Sequence, residues 1–104
     1  MSTPYVIAEA GSCHDGSLEK AREMVQVAKA AGADAVKYQF VSSAERLAER
    51  RHAPEYLDAY RIIQFPDDWH AVLASDCLEA GMDYACTVYL PSDVAIVAPH
   101  VALY

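Results

Sequence analysis

Ala35-Val36-Lys37-Tyr38-Gln39-Phe40 is a short apolar run with a lysine and a glutamine set two residues apart inside it. In an extended strand, residues i and i+2 share a face. Val36, Tyr38 and Phe40 therefore point one way, and Lys37 and Gln39 the other. A short apolar strand after a helix belongs to a parallel sheet covered on both faces. An uncompensated ammonium there costs several kcal/mol, so Lys37 requires water, an anion or a carboxylate partner. A strand end leaning into solvent meets the same need.

Working outward, the preceding segment carries Leu18, Ala21, Met24, Val25 and Ala28 at helical spacing, with Ser17 placed to cap its start. Gly32 stands where a C-terminal cap belongs. Before that helix, Tyr5-Val6-Ile7-Ala8 reads as a buried strand ending at Glu9, followed by a loop holding Gly11 and Gly16. After the strand, residues 41–62 are polar, with an aromatic patch at Tyr56 and Tyr60, and predict a long excursion with a helical turn or two. Pro66 with Asp67 and Asp68 opens a further helix, because proline suits the first turn and carboxylates its positive end. Its apolar stripe is Trp69, Val72, Leu73, Cys77 and Ala80, and Gly81 ends it. A third strand follows over about Asp83 to Thr87, a short helix over Pro91 to Ala98, and a fourth strand from Val101 to Tyr104.

Ala31-Gly32-Ala33-Asp34-Ala35-Val36 is echoed by Ala80-Gly81-Met82-Asp83-Tyr84-Ala85. Each pairs a helix end with a glycine, an apolar residue, an aspartate and a strand. A βαβα series of this kind predicts a parallel sheet with right-handed crossovers. Both a doubly wound sheet and a (β/α)8 barrel satisfy it. A whole barrel takes roughly 250 residues, so 104 residues would supply its first three units and part of a fourth. Tyr104 falls inside an apolar stretch with no polar tail, which leads us to expect a piece of a longer protein.

Hydrophobic residues make up 54% and charged residues 22%, a globular composition. A formal charge of −7 argues against nucleic acid or an anionic membrane as the main partner. Cys13, Cys77 and Cys86 lack metal-type spacing. With no signal peptide at Met1-Ser2-Thr3-Pro4, free thiols in the cytoplasm are expected. No apolar run approaches a membrane span.

Glu9, Lys37, Gln39 and Thr87 all fall at the C-terminal ends of predicted strands, where parallel α/β architectures build their sites. Lys37 offers a fixed charge for a phosphate or carboxylate, and Thr87 a hydroxyl. Glu9 and Gln39 suit sugar-like hydroxyls. A Glu9–Lys37 ion pair that merely joins adjacent strands is the competing structural account. The loop Gly11-Ser12-Cys13-His14-Asp15-Gly16-Ser17 lacks the Lys-Ser/Thr pair of a phosphate loop. Cys13 and His14 would need further ligands to hold a metal. A shaped turn at a site rim, braced by His14, fits best. His52, His70 and His100 look incidental, and Cys86 reads as a small core residue.

Taken together, Ile7-Ala8-Glu9-Ala10-Gly11-Ser12-Cys13-His14-Asp15-Gly16-Ser17 and Ala31-Gly32-Ala33-Asp34-Ala35-Val36-Lys37-Tyr38-Gln39 resemble the start of the sialic acid (N-acetylneuraminate) synthase family. The family pattern is I-x-E-I-G-x-N-H-x-G-[SD], a helix, then A-G-A-[DE]-x-V-K-x-Q. The spacing from Glu9 to Lys37 and Gln39 matches without a gap. More loosely, the Trp69-His70 helix and Cys86-Thr87-Val88-Tyr89 resemble the family's W-x-x-L helix and S-T-P-F segment. The resemblance implies that residues 1–104 are the N-terminal portion of a synthase-type (β/α)8 TIM barrel. The implied reaction condenses phosphoenolpyruvate with an N-acylated hexosamine such as N-acetylmannosamine, in a cytoplasmic homodimer. It further implies a divalent metal (Mn or Mg) whose ligands lie outside this chain. Lys37 and Thr87 would contact phosphoenolpyruvate, Glu9 and Gln39 the hexosamine, with Glu9 also catalytic and His14 supporting the loop. Cys13 and Val88 depart from the family's asparagine and proline, which leaves substrate identity open.

Two other functions compete with that one. An inactive remnant or small α/β module could bind an anion or partner through an exposed sheet edge. Another phosphoenolpyruvate-using or aldolase-type barrel would share the strand and helix order.

Overall fold

The computed structural model describes residues 3–101. Three parallel strands, β1 (Ile7–Gly11), β2 (Ala35–Phe40) and β3 (Asp83–Val88), form a sheet in the order β1-β2-β3. The main connecting helices are α1 (Leu18–Ala30) between β1 and β2, and α4 (Trp69–Glu79) ahead of β3. Between them lie α2 (Ala44–Arg50), a 3-10 turn at Pro54–Tyr56 and α3 (Leu57–Arg61). A second 3-10 turn at Pro91–Asp93 leads into α5 (Val94–Val97). The fourth strand expected at the C-terminal end falls mainly on residues 102–104, outside the described residues.

Alternation along β2 sorts the two faces. Val36, Tyr38 and Phe40 join Tyr84 and Cys86 of β3 in one buried cluster with Ala21, Val25 and Ala28 of α1, Leu73 and Cys77 of α4, and Val97 of α5. The Tyr38 hydroxyl donates to the Ala21 carbonyl at 2.6 Å, fixing α1 on this face. Arg22 of α1 and Asp76 of α4 then tie the two helices side by side through two hydrogen bonds of 2.9 and 3.2 Å. The crossover helices thus share one face of the sheet. Lys37, Gln39 and Thr87 are left on the other.

The repeated sequence echo has a physical cause. At the end of α1, Gly32 adopts φ +80, its N–H bonds the Lys29 carbonyl, and the Ala33 N–H reaches back to Ala28 at 3.0 Å. At the end of α4, Gly81 adopts φ +74, with the matching bonds to Leu78 and from Met82 to Cys77. Both are Schellman caps, which need a left-handed residue after the helix. The aspartates that follow act on neighbouring chain: the Asp34 carboxylate accepts from the Val6 N–H at 2.7 Å, and Asp83 accepts from the Tyr5 hydroxyl.

Three expectations shift. The first strand begins at Ile7, because its partner in the ladder is Ala35; Tyr5 and Val6 are instead occupied with the two aspartates. The α4 helix starts at Trp69, since Pro66 and Asp67 form a preceding turn through their carbonyls. Its buried stripe includes His70 and Asp76, whereas Val72 is only half-buried. His70 is not incidental: it lies fully buried, with Nδ1 2.7 Å from the Tyr84 hydroxyl and Phe40 against its ring.

Candidate functional site

The register of the sheet sets the geometry of the open face. Glu9 pairs with Lys37 and Lys37 with Ala85, forming one row across the three strands. Gln39 pairs with Thr87 in the next row toward the strands' C-terminal ends. Rows two residues apart are separated by roughly 7 Å, so the four polar side chains lie within the span of one small ligand. Gln39 and Thr87 are each the fifth residue of a six-residue strand, at the C-terminal end as expected. Glu9 and Lys37 are each third in their strands, one row deeper than the sequence reading placed them.

Glu9 Oε2 stands 3.2 Å from Lys37 Nζ, with the side chains 53% and 32% exposed. The strand-joining ion pair is therefore present. Both partners keep contact with solvent, where such a pair contributes about 0–1 kcal/mol. An ammonium has three donors, so Lys37 retains capacity for an incoming anion while Glu9 satisfies its charge.

The ladder between β1 and β2 is interrupted after Glu9, where Gly11 rather than Ala10 pairs with Tyr38. Gly11 has φ +56, and a Cβ there would lie 3.6 Å from both Glu9 Oε1 and Gln39 Oε1. A side chain at this position would be strained and would fill the space between those two oxygens. The missing Cβ keeps that space open.

His14 lies beneath the loop and is 1% exposed, packed edge-on against Phe65 and Trp69. Its Nδ1 accepts from the Gly16 N–H at 3.0 Å, so it holds the turn that leads into α1. Burial lowers its pKa, opposed by the nearby Asp15 carboxylate, and so favours the neutral ring, which can accept that bond. Cys13, next to it, is exposed, while Cys86 is buried and its thiol is pushed up to about 12 by burial. Cys13 and His14 thus occupy different environments. Among the described residues, no group of three His, Cys, Asp or Glu comes together in a way that could hold a metal ion. None of the described helices is long and apolar enough to cross a membrane.

Several groups around the site escaped the sequence reading. Asp93, fully buried, accepts from the Ser42 N–H at 3.0 Å and the Ser42 hydroxyl at 2.6 Å, tying the chain after β2 to the chain after β3. Tyr89 accepts a 2.9 Å hydrogen bond from Gln39 Nε2. Arg51, capping α2, lies over the rings of both Tyr89 and Tyr60. The signals in the sequence were the aromatic patch in residues 41–62 and Tyr89 at the end of the Cys86–Tyr89 segment, which lie far apart along the chain.

Comparison with known proteins bears on this arrangement. N,N'-diacetyllegionaminic acid synthase of Legionella pneumophila is 33% identical over 96 residues, covering 82% of this chain and 27% of that protein. N-acetylneuraminate-9-phosphate synthase of Drosophila melanogaster is 30% identical over 97 residues, 84% of this chain and 26% of that protein. The chain therefore spans about a quarter of the length of the curated relatives it matches. Among solved structures, spore coat polysaccharide biosynthesis protein SpsE of Bacillus subtilis superposes with a TM-score of 0.71 at 29% identity, over 95% of this chain and 28% of that one. The N-acetylneuraminic acid (sialic acid) synthetase of Leptospira borgpetersenii, solved in complex with citrate, gives a TM-score of 0.79 at 24% identity. It covers 94% of this chain and 33% of its own, and at that identity it speaks for the fold. The NeuB family model matches residues 24–104, which include β2, β3 and three of the four polar residues on the open face. The chain belongs to the NeuB family, and two of its curated relatives are synthases of N,N'-diacetyllegionaminic acid and N-acetylneuraminate-9-phosphate.

Proposed function

We propose that this chain is the N-terminal part of a nonulosonic acid synthase that condenses phosphoenolpyruvate with an N-acylated hexosamine, forming one carbon–carbon bond, taking up one water and breaking the enol-phosphate ester to release phosphate. The observation that carries the reading is the polar row Glu9–Lys37 with Gln39–Thr87 above it, on the sheet face opposite the helices, in a chain of this family. Sequential strand order with the crossover helices on one face suits the opening units of a (β/α)8 barrel, whose interior would be the open face. In a doubly wound sheet, strand order reverses and helices cover both faces.

Each residue has a role its chemistry can fill. Lys37 supplies positive charge to the phosphate or carboxylate of phosphoenolpyruvate, and Thr87 a hydroxyl donor beside it. Glu9 and Gln39 present oxygens to the hydroxyls and the amide N–H of the hexosamine, holding the aldehyde for attack. Glu9 also sits beside the ammonium that an incoming anion would engage, so binding would reshape the pair. On the same reading the whole protein is a cytoplasmic homodimer using manganese or magnesium, which polarises the aldehyde. The described residues offer no place for that ion, and none of the roles above runs through it.

The test is phosphate release from phosphoenolpyruvate by the full-length protein, with manganese and a panel of N-acyl hexosamines that includes N-acetylmannosamine. Release that depends on both substrates, and that is lost in Lys37→Ala, is the expected result. Release without any sugar, or none with any member of the panel, would count against the reading and favour a binding module or a different aldolase-type barrel.

A further inference from the structure

Gln39 is bonded to a group outside the polar row. Its Nε2 donates to the Tyr89 hydroxyl at 2.9 Å, and its Oε1 lies on the Gly11 side, as does Glu9 Oε1. An amide that rotated by half a turn would put its donors toward Glu9 and its oxygen toward Tyr89. The Tyr89 ring is in turn gripped: the Arg51 guanidinium carbon lies 5.4 Å from its centroid and 5.6 Å from that of Tyr60. Among the described residues Arg51 forms no ion pair. Its charge is met by two aromatic faces instead, which attract a cation through their quadrupoles. Arg51 closes α2 and Tyr60 belongs to α3, so the excursion after β2 reaches across to the chain after β3 at this point.

We propose that Tyr89, held by the Arg51 guanidinium that also covers Tyr60, is the positioning residue for Gln39, and that it tunes the site for a ligand group that donates hydrogen bonds. With one Nε2 proton on Tyr89, Gln39 turns its Oε1 toward the gap at Gly11. Glu9 Oε1 is a second acceptor, and Gly11 keeps the gap between them clear. A hydroxyl or an amide N–H can donate into this pair, whereas a carbonyl or carboxylate oxygen is repelled from it. The donor-bearing hexosamine is thereby directed to the Gly11 side, and the anionic phosphoenolpyruvate toward Lys37. Ligand choice at this end then depends on residues of the excursion as well as on the strands.

This inference rests on the proposed synthase reading for the identity of the ligand, but the clamp can be read without any ligand. Glutamine-selective 15N labelling of the full-length protein gives the Gln39 side-chain amide signal. In the wild type the amide protons should be shifted and slow to exchange. Tyr89→Phe and Arg51→Leu should both move the signal toward that of a free glutamine, and Arg51→Lys, which keeps a cation over the rings, should preserve it. In Tyr89→Phe and Arg51→Leu the KM for the N-acyl hexosamine should rise about tenfold, the cost of one misplaced hydrogen-bonding group, and in Arg51→Lys it should stay unchanged. The KM for phosphoenolpyruvate should stay within about twofold. An unmoved Gln39 signal in Tyr89→Phe overturns the clamp, and a parallel rise in both KM values overturns the selective role. Absence of any condensation by the wild type overturns the proposed function instead, and the amide signal then still decides the clamp.

Discussion

Glu9 and Lys37 are ladder partners whose side chains meet at 3.2 Å on the face of the sheet opposite the helices. Cutting this pair separates its two possible meanings. Lys37→Ala should change unfolding free energy by no more than about 1 kcal/mol, as for other partly solvated pairs. It should weaken phosphoenolpyruvate use in the full-length protein by roughly a hundredfold, the loss of one charged contact to an anion. Steady-state kinetics beside thermal melting decide the matter. Unchanged kinetics with a lowered melting temperature would show a pair that only joins strands.

Asp93 holds two bonds from Ser42 in a fully buried place. Asp93→Ala leaves the Ser42 N–H and hydroxyl without an acceptor and should cost about 2–3 kcal/mol. Urea unfolding measures it. A cost below about 0.5 kcal/mol would mean water replaces the carboxylate freely.

His70 makes stability depend on acid. Burial, together with the neighbouring His100, lowers its pKa from 6.5 to about 4, with Asp93 opposing. The unfolded chain binds a proton near pH 6.5 that the folded chain refuses until about pH 4. Stability is thus intact above pH 6.5 and falls as pH drops toward 4, by about 3 kcal/mol at the end of that window. His70→Gln, which keeps a partner for the Tyr84 hydroxyl, should flatten the curve between those values. An equally steep curve in the variant would place the sensitivity elsewhere.

His52 occupies φ +52 after α2, with its own N–H bonded to Glu49 and the Ala53 N–H bonded to Ala48 at 2.9 Å. This is the same cap as at Gly32 and Gly81, built with a side chain that the left-handed region disfavours by about 1 kcal/mol. His52→Gly should therefore raise stability by about 0.5–1 kcal/mol. A higher urea midpoint at constant m is the expected signature. A lower midpoint would show that the imidazole contributes more than its backbone costs.

Ile7 of the outer strand β1 is 42% exposed, and Tyr5 and Val6 just before it are 52% and 46% exposed. An apolar, unpaired strand edge recruits other chains. The 104-residue chain prepared by itself should associate at micromolar concentration, and Ile7→Lys should reduce that. Sedimentation velocity distinguishes the outcomes: a wild-type monomer at those concentrations would mean the edge is protected.

The strands and the two long helices were legible because their causes are local. Period-two alternation put Tyr38 and Lys37 on opposite faces, and Gly32 and Gly81 marked caps that need φ above zero. Residues 41–62 were opaque for the opposite reason. The buried set Val41, Leu47, Ile63 and Leu90 closes across distant segments, and Pro54 and His52 break the chain into pieces too short to show a period. His70 misled because its fully buried position is set by Tyr84, Phe40 and Phe65, none of them within its own helix. The pairing of Tyr89 with Arg51 was missed likewise: Tyr89 entered only as the end of the segment resembling S-T-P-F, Arg51 carries no motif, and only folding brings the two to Gln39.

The alternation of β2 has an effect on assembly that precedes any chemistry. Were β2 turned over by one residue, Lys37 and Gln39 would enter the layer now filled by Tyr38, Phe40, Leu73 and Cys77. Burying an unmatched ammonium there would cost several kcal/mol, comparable to the whole stability of a small domain. Phe40 and Tyr38 would meanwhile be turned out to water. A misregistered intermediate would thus be too unstable to accumulate. The groups proposed to hold a ligand would, on this account, also proofread strand pairing, so replacing them with apolar residues should yield a chain that folds less faithfully even where it folds more tightly.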